Sequence, residues 1–223
     1  NYFTRILGYT DEGVILVMDR FGNLHFISPG GTIIRVLYDW TDDIASSHFY
    51  YYNNALYGYS RNKLEKFSLH GDLLWTFNVT KMTPNGVSFE ATGTLLFYGY
   101  ETSCCSGFMK RLTQGGVEVG SITGYSGNFC PGLMYFDSYG HVYFHEHSSH
   151  GSIISLDEDL QFKWQLASVY VKLLNPDDVL IVLFSTPHEA DKMKQVNRAD
   201  GSIILEYDMS PPTYYHIDIF LKH

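Results

Sequence analysis

The stretch "KFSLHGDLLW", Lys66 to Trp75, decides how the rest of the chain is read. A short apolar-polar run, a tight turn carrying Gly71 and a second apolar run describe two strands of a hairpin. Glycine suits the positive φ that such turns require. The phrase returns as "HFISPGGTII" before it, and as "KRLTQGGVEV", "ISLDEDLQFKW" and "QVNRADGSIIL" after it. Aligned on the turn, the copies mark Gly31, Gly71, Gly116, Asp159 and Gly201, at spacings of 40, 45, 43 and 42 residues by subtraction. Aspartate stands in for glycine in the fourth copy because it also visits the left-handed region.

Each period holds about four strand-length runs. In the second they are "SSHFYYYN", "ALYGYS", "KLEKFSLH" and "DLLWTFNV". Helical periodicity is nearly absent, and only "TPHEADKMKQ" invites a helix. Four strands recurring about every 40 residues predict an all-β fold, a β-propeller of about five four-stranded antiparallel blades in a single domain. The expected blades are 1–40, 46–79, 86–123, 132–167 and 169–208. A further segment, 214–223 within "TYYHIDIFLKH", reads as one more first strand. Two arrangements accommodate it: a self-contained five-bladed ring, or a portion of a propeller of six to eight blades.

The strand-turn-strand unit, a leucine and an aromatic before the turn glycine and a tryptophan after it, resembles the repeat of quinoprotein-type propellers. "FDSYGHVYFH" and "YNNALYGYSRNKLEKF" resemble blades of tachylectin-type lectins, which form five-bladed propellers. "YDWTDD" (Tyr38 to Asp43) is the single counterpart of their loop motif, so no sugar-binding residue is carried over. The resemblance implies a lectin-like, non-catalytic carbohydrate-binding propeller, with a glycan or glycoprotein as partner.

Composition bounds the alternatives. Of 223 residues, 45% are hydrophobic and 16% aromatic, enough for one sizeable core of strand-forming side chains. A net charge of −9 opposes general nucleic-acid or anionic-membrane binding. The most apolar run, "DDVLIVLF", is strand-sized and too short for a membrane span. The chain starts at Asn1 without a signal peptide, as a mature secreted protein, a processed chain or an excised segment would. One glycosylation sequon, Asn78-Val79-Thr80, fits a secreted, extracellular setting.

In an antiparallel meander the loop between second and third strands shares a face with the loops that join blades. The longer loops fall on that face: 39–45, 81–85, 101–107, 124–130, 148–151 and 186–192. Function concentrates on such loops, and ring faces and amides suit sugar hydroxyls and apolar sugar faces. Trp40, Asp42, Asp43, Asn85, Tyr125 and Asn128 are therefore the candidate ligand-binding residues. Cys104 and Cys105 share one loop and Cys130 occupies the next, so Cys130 is a disulfide candidate with either; a vicinal Cys104–Cys105 bridge or three free thiols are the other readings.

No catalytic constellation stands out. The chain has no G-x-S-x-G elbow, P-loop or dinucleotide fingerprint, and no cofactor is expected. Glu90, Asp137 and Asp218 near first strands are unevenly placed for a glycosidase pair, and Asp42, Asp43, Glu101 and Glu189 lie on loops. His145, His147 and His150 form the most metal-like cluster, but zinc would need a further ligand set, and no metal is expected. Besides carbohydrate binding, the reading leaves open a protein-interaction scaffold within a larger assembly and a glycoside-acting enzyme.

Overall fold

The computed structural model describes residues 3–38, 48–60, 62–90, 92–101, 106–128, 134–137, 139–146, 152–167, 180–186 and 189–208. Five antiparallel sheets follow one another along the chain. The first contains β1 (Phe3–Tyr9), β2 (Ile15–Asp19), β3 (Leu24–Ile27) and β4 (Ile33–Leu37). The second contains β5 (Phe49–Tyr52), β6 (Ala55–Ser60), β7 (Lys63–Phe67) and β8 (Leu73–Asn78). The third contains β9 (Met82–Phe89), β10 (Leu95–Glu101), β11 (Ser106–Leu112) and β12 (Glu118–Asn128). The fourth contains β13 (Met134–Phe136), β14 (Val142–Glu146), β15 (Ser152–Leu156) and β16 (Phe162–Ala167). The fifth shows three described strands, β17 (Leu180–Thr186), β18 (Glu189–Val196) and β19 (Ile203–Asp208). Strands pair in chain order within every sheet, as expected of a meander. Segment 214–223 lies outside the described residues.

The sheets stack because their second and third strands bury both faces. Leu56 joins Leu16, Met18 and Phe26 between blades 1 and 2, while its neighbours Tyr57 and Tyr59 join Leu95, Phe97 and Phe108 between blades 2 and 3. Leu96 and Met109 turn the other way, onto Val142, Phe144 and Ile154 of blade 4. The period-2 alternation of a strand thus feeds two cores at once.

The turns share one chemistry. The turn before the last described strand of each sheet, and the turn at Asp137, opens on a small polar or acidic residue whose side chain accepts backbone N–H groups further along it. Ser68 accepts from His70 and Asp72, Asp137 from Tyr139 and His141, and Asp157 from Asp159 and Gln161. These side chains hold the loop in a turn before the strands close on it. The fourth residue of the turn takes positive φ: +82° at Gly31, +91° at Gly71 and +80° at Gly116.

Blade 4 corrects the sequence alignment here. The left-handed residue is Leu160 (φ +62°), not Asp159. Asp157 opens the turn, so the frame lies one residue further on, and the spacings become 40, 45, 44 and 41 by subtraction. Leu160 is fully buried with Val142, Ile154 and Leu156, and that burial offsets its unfavourable backbone.

Four expected loops are strand in part, 101–107 through Glu101, Ser106 and Gly107. Met82–Phe89 includes most of 81–85, with Pro84 tolerated beside a register shift on an edge strand. Glu118–Asn128 includes 124–128, and its pairing with β11 skips residues where a turn was expected, so Gly124 and Gly127 mark bulges. Glu189–Val196 is strand where "TPHEADKMKQ" invited a helix, because Leu180–Thr186 supplies a pairing partner along its length.

A bulge recurs in the last described strand of every sheet. Pairing skips Ile34, Leu74, Val119, Lys163 and Ile204 in turn. All five lie three residues beyond the left-handed turn residue. The following residue (Arg35, Trp75, Gly120, Trp164 or Leu205) is returned to the paired register.

Two glycine substitutions separate conformation from packing. A Cβ at Gly31 meets nothing within 4 Å, whereas one at Gly116 would lie 2.8 Å from the Trp75 ring. Gly31→Ala should cost about 1 kcal/mol for the left-handed backbone alone. Gly116→Ala should cost a further 1–3 kcal/mol or so for overpacking, read as the difference between the two urea-denaturation midpoints.

Candidate functional site

In blades 1, 2 and 4 the residue after the bulge reaches towards the next blade. Trp75 lies on Gly116, and its indole Nε1–H donates to the Gln114 carbonyl at 2.8 Å. Trp164 lies on Gly201 and donates to the Arg198 carbonyl at 2.8 Å. Arg35 occupies the same place in blade 1, where Nη2 donates to the Leu69 carbonyl at 2.6 Å. Leu69, Gln114 and Arg198 are each the second residue of their turn, so the three bonds are equivalent. Trp75 and Trp164 are thus inter-blade packing residues.

Blade 3 carries Gly120 at this place, and Arg111 on the adjacent strand takes over. Its buried guanidinium lies 2.8 Å from Glu90 Oε1 and donates to the Gly140 carbonyl of blade 4 at 2.6 Å. Glu90 also accepts from the Thr92 and Thr94 hydroxyls. Asp137, at the corresponding turn of blade 4, accepts from the Tyr143 hydroxyl at 3.0 Å, and its Oδ2 lies 2.8 Å from His141 Nδ1 and 3.5 Å from Arg198 Nη1. These two carboxylates belong to separate turns and each serves a structural network, while Asp218 lies outside the described residues.

Among the described residues, clefts lie on the tight-turn face of the sheets at two blade boundaries. The first, about 560 Å³, lies between blades 1 and 2. Its apolar lining is Val14, Phe26, Ile34 and Leu69; Asp11 and Glu12 lie on the blade 1 turn, and Asn54 and His70 on blade 2. The Arg35 guanidinium lies 3.6 Å from the centre of the Phe26 ring, with Nη1 3.0 Å from His70 Nδ1. The second, about 410 Å³, lies between blades 4 and 5 and is lined by Tyr139, His141, Lys163, Asn197, Arg198, Ala199 and Ile204.

Trp40, Asp42 and Asp43 lie outside the described residues, as do Cys104, Cys105, Cys130, His147 and His150. Asn85 is exposed at the bulge of β9, and Tyr125 and Asn128 lie on β12. Because β9 and β12 are opposite edges of one sheet, Asn85 is about 14 Å from the other two strand positions. His145 lies on β14. Among the described residues no group of three or more His, Cys, Asp or Glu is placed to hold a metal, and no helix is long and apolar enough to cross a membrane.

Arg35, Lys163 and Arg198 were missed, though a signal existed. Counting from the left-handed turn residue puts Arg35 where blades 2 and 4 have tryptophan, and Lys163 where the other blades have an aliphatic bulge residue.

No protein-family model matches the sequence, and no curated protein matches it. Solved structures do match. The WD40 domain of Neurospora crassa Pan2 superposes with a TM-score of 0.58 at 10% identity, over 93% of this chain and 66% of that one. BamB from Moraxella catarrhalis gives 0.58 at 18% identity, over 90% and 60%. A eukaryotic initiation factor gives 0.53 at 13% identity, over 92% and 64%. The fold is a β-propeller. The chain spans somewhat under two thirds of the length of these structures.

Two measurements probe the buried polar groups of the blades. Tyr57 and Tyr143 occupy equivalent places on β6 and β14, yet only Tyr143 has an acid to donate to. Tyr57, pushed up to about 12 mainly by burial, has no hydrogen-bond partner for its hydroxyl. Tyr57→Phe should stabilise by about 1 kcal/mol and Tyr143→Phe should destabilise by a similar amount in urea denaturation.

The second measurement is acid sensitivity. Burial pushes the Asp19 carboxyl up, but bonds from His25, Asn23 and the backbone at Asn23 and Phe21 outweigh it and hold the group at about 2, against an ordinary 3.8. Burial likewise pushes Asp137 up, and bonds from His141 and Tyr143 hold it below its ordinary value. Both native carboxylates favour ionisation, so their stabilisation is complete above the unfolded value and is lost as pH falls towards 2. The thermal midpoint should drop over that range, and Asp19→Asn should flatten the drop.

Proposed function

We propose that this chain is a non-catalytic protein-interaction scaffold, a propeller that docks segments of partner proteins against its tight-turn face. One observation carries the reading. Large apolar side chains recur, exposed, at or beside the start of the last described strand of every sheet: Ile33 and Ile34, Leu73 and Leu74, Val117 and Val119, Phe162, and Ile203 and Ile204. Isolated exposed aliphatics are ordinary on any surface. Recurrence at one register of five sheets, beside two clefts, is the pattern of a surface that other chains cover. Ile34 and Ile204 each line a cleft directly.

The likeness to propellers that include a WD40 domain supports the same reading at the level of fold. The carbohydrate reading draws on residues that, where described, stand at opposite edges of blade 3.

Selection of random displayed peptides on the purified 223-residue chain tests the proposal. Binders with Kd in the micromolar range or tighter are expected, about −8 kcal/mol of binding energy. Ile34→Glu places a charge on an exposed cleft side chain and should weaken one class of binder about tenfold, read by fluorescence anisotropy. Selection that yields no binder, or binders indifferent to substitution in both clefts, would overturn the reading.

A further inference from the structure

Blade 4 departs from the repeat at its bulge as well as at Leu160. The bulged residue of the last described strand is Ile34, Leu74, Val119 or Ile204 in the other sheets, and Lys163 here. Lys163 lines the blade 4–5 cleft.

The neighbouring charges are accounted for. Arg198 Nη1 faces Asp137 at 3.5 Å, with its guanidinium 5.2 Å from the centre of the Tyr139 ring. His141 lies between Asp137 at 2.8 Å and Glu158 at 3.4 Å. Lys163 has no hydrogen bond or ion pair among the described residues. The cleft therefore presents one unmatched cation, in a chain whose net charge is −9. Next to it stand two exposed apolar surfaces, Tyr139 at 66% and Ile204 at 51% exposure.

We propose that the blade 4–5 cleft binds an acidic segment of a partner protein, with one Asp or Glu carboxylate on Lys163 and an adjacent apolar side chain against Tyr139 and Ile204. This rests on the scaffold reading and names the chemistry of one of its two clefts. The charge count selects the carboxylate. One unmatched cation pairs with a monoanion, whereas a phosphate dianion would also face Asp137 and Glu158. The attraction is electrostatic at a concave surface, so it should weaken with salt.

The test is fluorescence anisotropy on the full chain with three short labelled peptides: one alternating Glu with Leu, its Gln-for-Glu counterpart, and a counterpart bearing phosphoserine. Lys163→Ile gives blade 4 the residue that blades 1 and 5 already carry at this register, so the fold should survive with an unchanged Tm. It should weaken the acidic peptide about tenfold, as should the Gln exchange in the peptide. Lys163→Arg should retain binding, and Ile34→Glu in the other cleft should leave it unaltered. Equal binding by wild type and Lys163→Ile, equal binding of the Glu and Gln peptides, or markedly tighter binding of the phosphopeptide would each overturn the inference. If selected peptides still bind at the blade 1–2 cleft, the scaffold reading survives that failure. If peptides bind at neither cleft, it fails too.

Discussion

The arrangement of blades depends on a single repeated constraint: a side chain four residues past the left-handed turn residue must meet the turn of the next sheet. In blades 2 and 4 a tryptophan covers a glycine with its ring and bonds a carbonyl with its N–H. In blade 1 an arginine makes the equivalent bond. The contact joins apolar burial to a satisfied backbone acceptor, so it aligns the sheets as well as holding them together. It works only because the outer strand bulges one residue earlier. Without that extra residue the same side chain would point to the opposite face.

The exception in blade 3 shows that the constraint can be met by other chemistry. Gly120 leaves no ring and no donor, and the neighbouring strand supplies Arg111 instead. A buried guanidinium is costly unless paired, and Glu90 at 2.8 Å pairs it. The Glu90 turn in turn accepts the Tyr52 hydroxyl of blade 2 at 2.7 Å, so blades 2, 3 and 4 are linked through one ion pair. An acid near a first strand, which in sequence resembles half of a catalytic pair, is here part of a joint between sheets.

The clefts follow from the same geometry. Where the outer-strand side chain and the next turn do not fill the boundary completely, a concave surface remains on the tight-turn face. Its character is set by the bulge residue and the turn beside it: apolar and acidic between blades 1 and 2, and basic and aromatic between blades 4 and 5. Reasoning from loop length favoured the opposite face, because long loops carry function in many folds. Tight turns can do so as well when two of them border a gap.

By itself the sequence determined the all-β class, the period, the four-strand unit and the turn at Gly71, because strand alternation and turn glycines are local properties. It also put a tryptophan at one repeated place after the turn in blades 2 and 4, and the structure packs Trp75 and Trp164 there against the next sheet. Only the tertiary structure decided that Leu160, not Asp159, is the left-handed residue of blade 4, since burial of a leucine offset a backbone preference that favours Asp or Gly. Only the structure revealed the five bulges, because a skipped residue exists only relative to a partner strand. The clefts were hidden for the same reason. Lys163, Arg198 and Tyr139 lie far apart in the chain and meet only where two sheets pack.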